Sequence, residues 1–167
     1  MAFTSTEEAR APQLAAALGQ RLRAAADAAL ETSPPPAPDP ASDADSCLQA
    51  LVRELAATGD ASVAWLTITA LVGAFPLPED VRFLVRAADL EGPEDLTVTL
   101  LDRAHALAVR HRSLDRPLRI ESGVVVDVDM CARSAFHNGI QRTTREVVQR
   151  WGAEHPIRLV AWTATSG

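Results

Sequence analysis

Apolar residues recur at helical spacing over the first two thirds of the chain. In residues 1–31, Leu14, Leu18 and Leu22 are four positions apart, which places them on one face of a helix. Pro12 stands where a first helical turn tolerates proline, because the N–H at that position has no helical acceptor. The pattern predicts an N-terminal helix from about Pro12 to Glu31. Its apolar stripe is narrow and rich in alanine, so we expect it to dock loosely.

A proline-rich segment follows this helix. Five prolines lie between Thr32 and Asp43. Proline lacks a backbone N–H and clashes with the preceding turn, so it disfavours a helix interior. We therefore predict an extended linker over residues 32–44.

Residues 45–116 predict a helical bundle domain, and its first two helices are separated by a glycine. The first runs from about Asp45 to Ala57, and Gly59 ends it. The second starts after Asp60, a residue type that caps helix N-termini, and carries apolar residues as far as Phe75. This second segment is apolar nearly all round, which predicts a central position in the bundle.

Two further helices share the same start. Pro78 and Pro93 are each followed by Glu and Asp, and a proline in the first turn with acids after it suits a helix N-terminus. The last helix extends to Arg110, His111 and Arg112, whose positive charges suit a helix C-terminus.

The pattern changes at Pro117. A β-branched run from Gly123 to Asp129 predicts a strand that is buried on both faces. After a polar loop over 130–138, the pattern predicts a helix over 140–151, which Gly152 ends, with Ile140, Val147, Val148 and Trp151 on its apolar side. A second strand is predicted over 157–162. Strand, loop, helix and strand in this order open a doubly wound parallel sheet.

Residues 117–167 are thus predicted to form a partial Rossmann-like βαβ unit. Two parallel strands do not make an independent α/β domain, so we expect this unit to be the front part of a longer one. The predicted fold class is mainly α with a C-terminal α/β portion.

Composition excludes several kinds of chemistry. The 167 residues contain no lysine and no tyrosine. The absence of lysine excludes the P-loop lysine, Schiff-base chemistry and the kinase lysine. The net charge of −6 argues against a nucleic-acid partner. The two cysteines, Cys47 and Cys131, lack metal-ligand spacing, and no metal or separate cofactor is predicted. No apolar run is long enough for a membrane span, so we expect a cytoplasmic protein.

The candidate chemistry lies between Asp127 and Arg145. Asp127 and Asp129 are the acids at the end of the predicted strand, where ligands bind in open α/β sheets. Asn138 and Gly139 stand at the entry to the next helix, where free N–H groups attract anions. The next turns of the helix carry two arginines that suit a phosphate or carboxylate ligand. The alternative is a capped helix with solvated arginines.

This region resembles retaining glycosyltransferases of the two-Rossmann-domain (GT-B) kind, in the broad group 1/family 4 class. The resemblance covers residues 123–162. It is carried by the strand Val124–Val128 with its acid, by residues 136–142 (Phe-His-Asn-Gly-Ile-Gln-Arg), and by the pattern Gly-Ile-x-Arg-x-x-x-Glu from Gly139 to Glu146. It implies an acceptor-side domain whose glycine turn lies near the phosphates of a nucleotide-sugar donor. The donor-binding residues that it implies are Asn138, Gly139, Ile140, Arg142 and Arg145.

The resemblance also implies what is missing. Enzymes of this class hold the donor mainly through a second Rossmann domain, which this sequence does not contain. We therefore expect an N-terminal fragment of a hexosyltransferase-type enzyme that is inactive as this chain, with an unknown acceptor. The helical region is not part of the common pattern.

Other interpretations stay open. Asp127-Val128-Asp129 also resembles the Asp-x-Asp of haloacid-dehalogenase phosphatases and the metal-binding Asp-x-Asp of single-Rossmann glycosyltransferases. His137 is the candidate for a catalytic residue, because it is the histidine nearest the glycine turn. The competing function is non-enzymatic, with the helical region acting as a protein-interaction module.

Overall fold

The computed structural model describes residues 4–37, 39–109, 114–121, 123–133 and 139–162. The chain divides into two compact units, which we call the helical unit (Met1–Ile120) and the α/β unit (Glu121–Gly167). Helices dominate, and the described strands form one two-stranded parallel sheet near the C-terminus. The predicted fold class, mainly α with a C-terminal α/β portion, is confirmed. The elements, in chain order, are α1 (Thr4–Ala29), α2 (Pro40–Thr58), α3 (Ala61–Val72), α4 (Pro78–Leu90), α5 (Pro93–Ala108), β1 (Val124–Asp127), α6 (Asp129–Arg133), α7 (Gly139–Glu154) and β2 (Ile157–Val160).

Helix α3 is the centre of the helical unit, as its all-round apolar character predicted. It packs against α1, α2, α4 and α5. Its side chains are buried on every side, and they include Val63, Ala64, Thr67, Ile68, Thr69, Ala70 and Val72. The two threonine hydroxyls donate to the carbonyls one turn earlier, those of Val63 and Trp65, which satisfies polar groups that would otherwise destabilise the core.

Caps determine where the helices begin and end. Asp39 accepts hydrogen bonds from the N–H groups of Ala41 and Ser42, so α2 begins at Pro40 rather than at the predicted Asp45. Pro40 occupies the first helical turn, where its missing N–H has no cost. Gly73 adopts a left-handed conformation (φ 72°) and ends α3, which leaves Phe75 outside the helix in contrast to the prediction.

Helix α1 differs most from its prediction. It begins at Thr4 and contains Pro12 in its interior, and it is not loosely docked. Leu22, Ala25 and Ala26 are buried, and α1 packs against both α2 and α3. Small alanine side chains let the helices approach closely, so a weakly apolar stripe suffices for packing.

A buried arginine fastens α1 to distant parts of the helical unit. The Arg21 side chain is 2% exposed. Its guanidinium donates to the carbonyls of Ala70 (2.5 Å), Leu114 (2.5 Å) and Arg116 (3.0 Å). Burial lowers the pKa of Arg21, and the charge of Asp115 opposes this effect. The Ala70 carbonyl belongs to the last turn of α3, where a cation is favoured by the helix dipole.

A second buried charge joins α4 and α5. Asp80 is fully buried and accepts hydrogen bonds from the Leu77 N–H (2.9 Å) and from Arg103 Nε (2.8 Å). The Arg103 guanidinium in turn lies over the ring of Phe83, 5.6 Å from its centroid. Asp80, which was predicted to favour the start of α4, thus also forms a buried ion pair with Arg103.

The α/β unit is built on one parallel strand pair. Val124 is aligned with Ile157 and Asp127 with Val160. Both strands are shorter than predicted, and the short helix α6 occupies the start of the predicted polar loop. Helix α7 continues through Gly152 to Glu154, so Gly152 does not end it as predicted. Gly152 lies inside the helix and next to the Ile157 side chain.

The strands are not buried on both faces, which corrects the prediction. Val125 is 54% exposed and Leu159 is 53% exposed. The apolar side predicted for α7 is also largely open, since Ile140, Val147 and Trp151 are exposed. Two strands provide few neighbours for one another, so residues of buried-strand type remain in contact with solvent. Among the described residues, no helix is both long enough and apolar enough to cross a bilayer.

Candidate functional site

The predicted acids lie at the carboxyl edge, which we define as Asp127, Asp129, Arg133 and Trp162. Strands β1 and β2 are parallel, and α7 connects back to β2. Helix α7 therefore starts at the same end of the sheet at which β1 ends, and the topology brings the acids and Gly139 to one end of the unit.

Asp127 acts as a local hydrogen-bond acceptor. Its Oδ1 accepts the Asp129 N–H (2.8 Å) and its Oδ2 accepts the Trp162 indole N–H (2.9 Å). The Asp129 N–H, followed by the indole, holds the pKa of the Asp127 carboxyl below its ordinary value. The carboxylate is therefore ionised at neutral pH and organises the turn after β1.

Asp129 continues the same network. Its Oδ1 accepts from Arg133 Nε (2.7 Å) and from the Trp162 N–H (2.9 Å). Arg133 also donates to the Trp162 carbonyl. The two acids thus tie α6 to the residue two positions after β2. Within the described ranges, no three His, Cys, Asp or Glu side chains are grouped as a metal site.

The start of α7 is open. A Cβ atom built on Gly139 would have no heavy atom of the described residues within 4 Å, so this part of the chain leaves space beside the backbone there. Ile140 is exposed beside it. The Thr143 and Thr144 hydroxyls donate to the carbonyls of Gly139 and Ile140. The first N–H groups of a helix have no acceptor within it and point along the helix axis. His137 and Asn138 lie outside the described residues.

The two predicted arginines have different surroundings. The Arg142 side chain is 81% exposed and pairs with Glu146, one turn later, at 3.1 Å. Arg145 is partly buried and its Nη2 lies 3.5 Å from the Cys131 carbonyl. It lines a mostly apolar cavity of 270 Å³ between α6, α7 and β2, together with Val128, Cys131, Ala132, Thr144, Val148, Gln149 and Leu159. Arg142 is therefore the more exposed of the two predicted arginines.

Sequence reasoning assigned no role to Gln141, which is nearly buried. Its side-chain Nε2 donates to the Met130 carbonyl (3.1 Å). Its backbone carbonyl accepts a hydrogen bond from the Cys131 thiol (3.9 Å). These contacts attach α6 to the first turn of α7. No sequence signal separates this glutamine from a surface residue of the same helix.

Arg133 and Trp162 were also missed as members of the network. The spacing of Asp129 and Arg133, four residues apart, is the signal that would have predicted their pair. The Trp162 ring is half exposed, and its indole N–H donates a hydrogen bond to the Asp127 carboxylate. This contact depends on the pairing of β1 with β2, which brings Trp162 next to Asp127, 35 positions earlier in the sequence.

The chain matches no family model, no curated protein and no solved structure.

Proposed function

We propose that the α/β unit is the opening part of the acceptor-side Rossmann domain of a retaining GT-B glycosyltransferase. Such an enzyme transfers a sugar from a nucleotide-sugar donor to an acceptor whose identity this chain does not specify. The observation that carries the proposal is the placement of the ionised Asp127 and the open start of α7 at the same end of a parallel strand pair. Anionic ligands bind at this position in open α/β sheets.

In this proposal the backbone of α7 receives the donor phosphates. The first-turn N–H groups have no acceptor within the helix, and the helix dipole adds partial positive charge there. Negative charge develops on the diphosphate as the bond to the sugar breaks, and positioned donors stabilise it. Arg142 is exposed and one turn from Gly139, so exchanging Glu146 for a phosphate oxygen requires only side-chain rotation.

The acids have a positioning role in this scheme. Both oxygens of Asp127 already accept hydrogen bonds, as does Oδ1 of Asp129. Their network holds the turn after β1 against the segment after β2. This hydrogen bonding does not favour the phosphatase interpretation, in which Asp127 attacks phosphorus and needs an oxygen without a hydrogen-bond donor. A catalytic contact from His137 stays a prediction.

The proposal includes an expectation of weak binding and no transferase activity by this chain alone, since donor affinity in the resembling enzymes comes mainly from a second Rossmann domain. It also assigns the protein to the cytoplasm. Both Cys47 and Cys131 are free thiols, which suits a reducing compartment.

Nuclear magnetic resonance titration tests the proposal. The full chain, labelled with ¹⁵N, is titrated with a uridine-linked and a guanosine-linked hexose donor to about 10 mM, because a dissociation constant of about 1 mM corresponds to only about 4 kcal/mol. We expect one donor to shift the amide signals of Gly139, Ile140 and Gln141. The double variant R142A/R145A should weaken binding at least fivefold.

Arg150→Ala is the matched control, because Arg150 is exposed near the other end of α7. It should bind as tightly as the unmodified chain. Absence of any shift at 10 mM, or equal binding by R142A/R145A, would contradict the proposal.

A further inference from the structure

Two neighbouring side chains of α1 reach a segment that lies far along the chain. Gln20 and Arg21 both bind backbone groups of residues 114–118, which we call the strap. The strap comes after α5 and near the end of the helical unit, and residues 119–123 separate its last residue, Leu118, from β1. The chain therefore leaves the helical unit through a segment that α1 contacts.

Gln20 binds the strap as a neighbouring strand would. Its Nε2 donates to the Leu118 carbonyl (2.9 Å), and its Oε1 accepts the Leu118 N–H (3.0 Å). Opposite residues in an antiparallel strand pair exchange the same two hydrogen bonds. A side-chain amide can replace that backbone partner, because it carries a donor and an acceptor side by side.

Arg21 holds the earlier part of the strap from its buried position. Its Nη1 donates to the carbonyls of Leu114 (2.5 Å) and Arg116 (3.0 Å). Together with Leu118, the carbonyls bound by α1 belong to alternate residues, as in an extended chain whose alternate groups face one side. The guanidinium is a charged donor, and hydrogen bonds from charged donors are stronger than those from neutral ones. Helix α1 therefore binds the strap along its whole length.

The strap also has an apolar anchor. Leu118 is half-buried and packs against the core of the helical unit. Arg119 and Ile120, which follow it, are exposed. Pro117 has no N–H, so the strap has one donor fewer that needs a partner. Burial therefore decreases after Leu118, at the residue that Gln20 binds.

We propose that α1 is a latch for the strap, so that docking of α1 and fixation of residues 114–118 occur together. The partners are 93 to 98 positions apart, so their contacts form only when α1 is docked. When α1 undocks, the strap loses these hydrogen-bond partners and is released. Coupling of this kind is reciprocal, so a change that loosens the strap also loosens α1. The latch thus sets the residue after which the connection to the α/β unit begins, and the proposal does not depend on the glycosyltransferase assignment.

Hydrogen exchange of the full chain, followed for single amides by nuclear magnetic resonance, tests the latch. Gln20→Ala removes both bonds to Leu118, so the Leu118 amide should exchange at least about tenfold faster. Gln13→Ala is the matched control, because Gln13 is exposed on the same helix about two turns earlier. It should leave the exchange of Leu118 unchanged. Gln20 is itself exposed, so its variant should keep the fold, which circular dichroism checks.

Limited digestion with trypsin gives a second measurement. Cleavage after Arg119, at the end of the strap, requires the neighbouring chain to open. It should be at least about fivefold faster in Gln20→Ala than in the unmodified chain. Cleavage after Arg158, which lies in β2, should proceed at the same rate in both and serves as the internal reference.

A change on the strap tests the coupling from the other side. Leu118→Ala removes the apolar anchor but keeps the backbone groups that Gln20 binds. The Leu22 amide of α1 should then exchange at least about threefold faster. The Leu84 amide of α4, a helix that packs against α2, α3 and α5, should change less.

Three results would each overturn the latch. The first is unchanged exchange and unchanged cleavage of the strap in Gln20→Ala. The second is an equal acceleration in the control variant Gln13→Ala. The third is a Leu118→Ala variant in which α1 exchanges as slowly as before, or in which α1 and α4 are accelerated equally.

Discussion

The two units of this chain use similar apolar residues with different results. In the helical unit, Ile68 on α3 is completely buried, whereas in the α/β unit Val125 on β1 and Leu159 on β2 remain half exposed. A helix buries its apolar stripe as soon as one or two other helices pack against it. A parallel strand requires neighbouring strands on its edges and layers on both faces. Burial therefore depends on how many partners an element needs, and not only on its apolar content.

The charged residues show the same contrast. Arg21 and Asp80 are buried in the helical unit, and each has hydrogen-bond partners within it. The acids of the carboxyl edge, Asp127 and Asp129, lie in a network that is largely open to solvent. Charges in the first unit stabilise the packing of helices, and those in the second lie largely in contact with solvent.

Truncating one apolar side chain in each unit should give the largest difference in the free energy of unfolding. Ile68→Ala removes three buried carbon atoms and leaves a cavity, and we expect a loss of about 3 kcal/mol from the free energy of unfolding. Leu159→Ala removes a side chain that is already half hydrated, so the loss should stay below about 1 kcal/mol. Hydrogen exchange measured by mass spectrometry, peptide by peptide, reports each unit separately. Equal losses would refute the contrast in burial.

Arg21→Met should have the next largest effect. The variant keeps most of the side-chain volume but leaves the carbonyls of Ala70, Leu114 and Arg116 without their donor, at a cost of about 2 kcal/mol. Urea unfolding followed by the helical circular dichroism signal measures the loss. Arg53→Met, on the exposed side of α2, is the control and should change stability little. If Arg21→Met left the free energy of unfolding unchanged, the buried guanidinium would contribute nothing to docking of α1.

Asp80→Asn should have a smaller effect. Asparagine keeps the shape of the side chain but loses the charge that pairs with Arg103, so we expect a loss of about 1–2 kcal/mol. The neighbouring Glu79→Gln changes an exposed acid in the same helical turn and provides the comparison. The two variants are compared by urea unfolding at neutral pH, and indistinguishable midpoints would contradict an internal role for Asp80.

The pH dependence of Asp43 should be the smallest of these effects. Arg23 donates to Asp43, and the Ala37 N–H adds a second bond, so the pKa of the Asp43 carboxyl lies below its ordinary value of 3.8. A lowered pKa in the folded state stabilises the protein above about pH 4, and this contribution is lost as the pH falls through the lowered value.

Unfolding free energies of the helical unit between pH 7 and pH 2.5 test this expectation. Asp43→Asn should flatten the acid end of the profile. Arg23→Gln should flatten the same window, because it removes the other half of the same pair. If the two variants changed different parts of the profile, the pair would not be the cause.

Helix boundaries set by local chemistry were predictable from the sequence. Asp60 caps α3, and Pro78 and Pro93 begin α4 and α5, as expected. These signals act within one turn, because a cap or a first-turn proline affects only the N–H groups next to it. Asp39 acts in the same way, but the prolines around it obscured the start of α2.

The candidate site was predictable only in part. The order of strand, acid and helix placed Asp127 and Gly139 at one end of the α/β unit, because parallel strands impose that arrangement. The partners of these residues were not predictable. Trp162 reaches Asp127 across 35 positions, and Gln141 reaches Met130 across 11 positions, so neither pair has a local signature.

Local patterns in the sequence were enough to predict the main helices and both strands, the starts of α3, α4 and α5, and the order that makes the chain mainly α with a C-terminal α/β portion. The burial of Arg21 among carbonyls 49 to 95 positions away, and the exposure of apolar strand residues, became known only from the packing of the folded chain. The reason is range. Backbone conformation responds to neighbours within a turn or two, whereas burial depends on which distant surfaces meet and on how many of them there are.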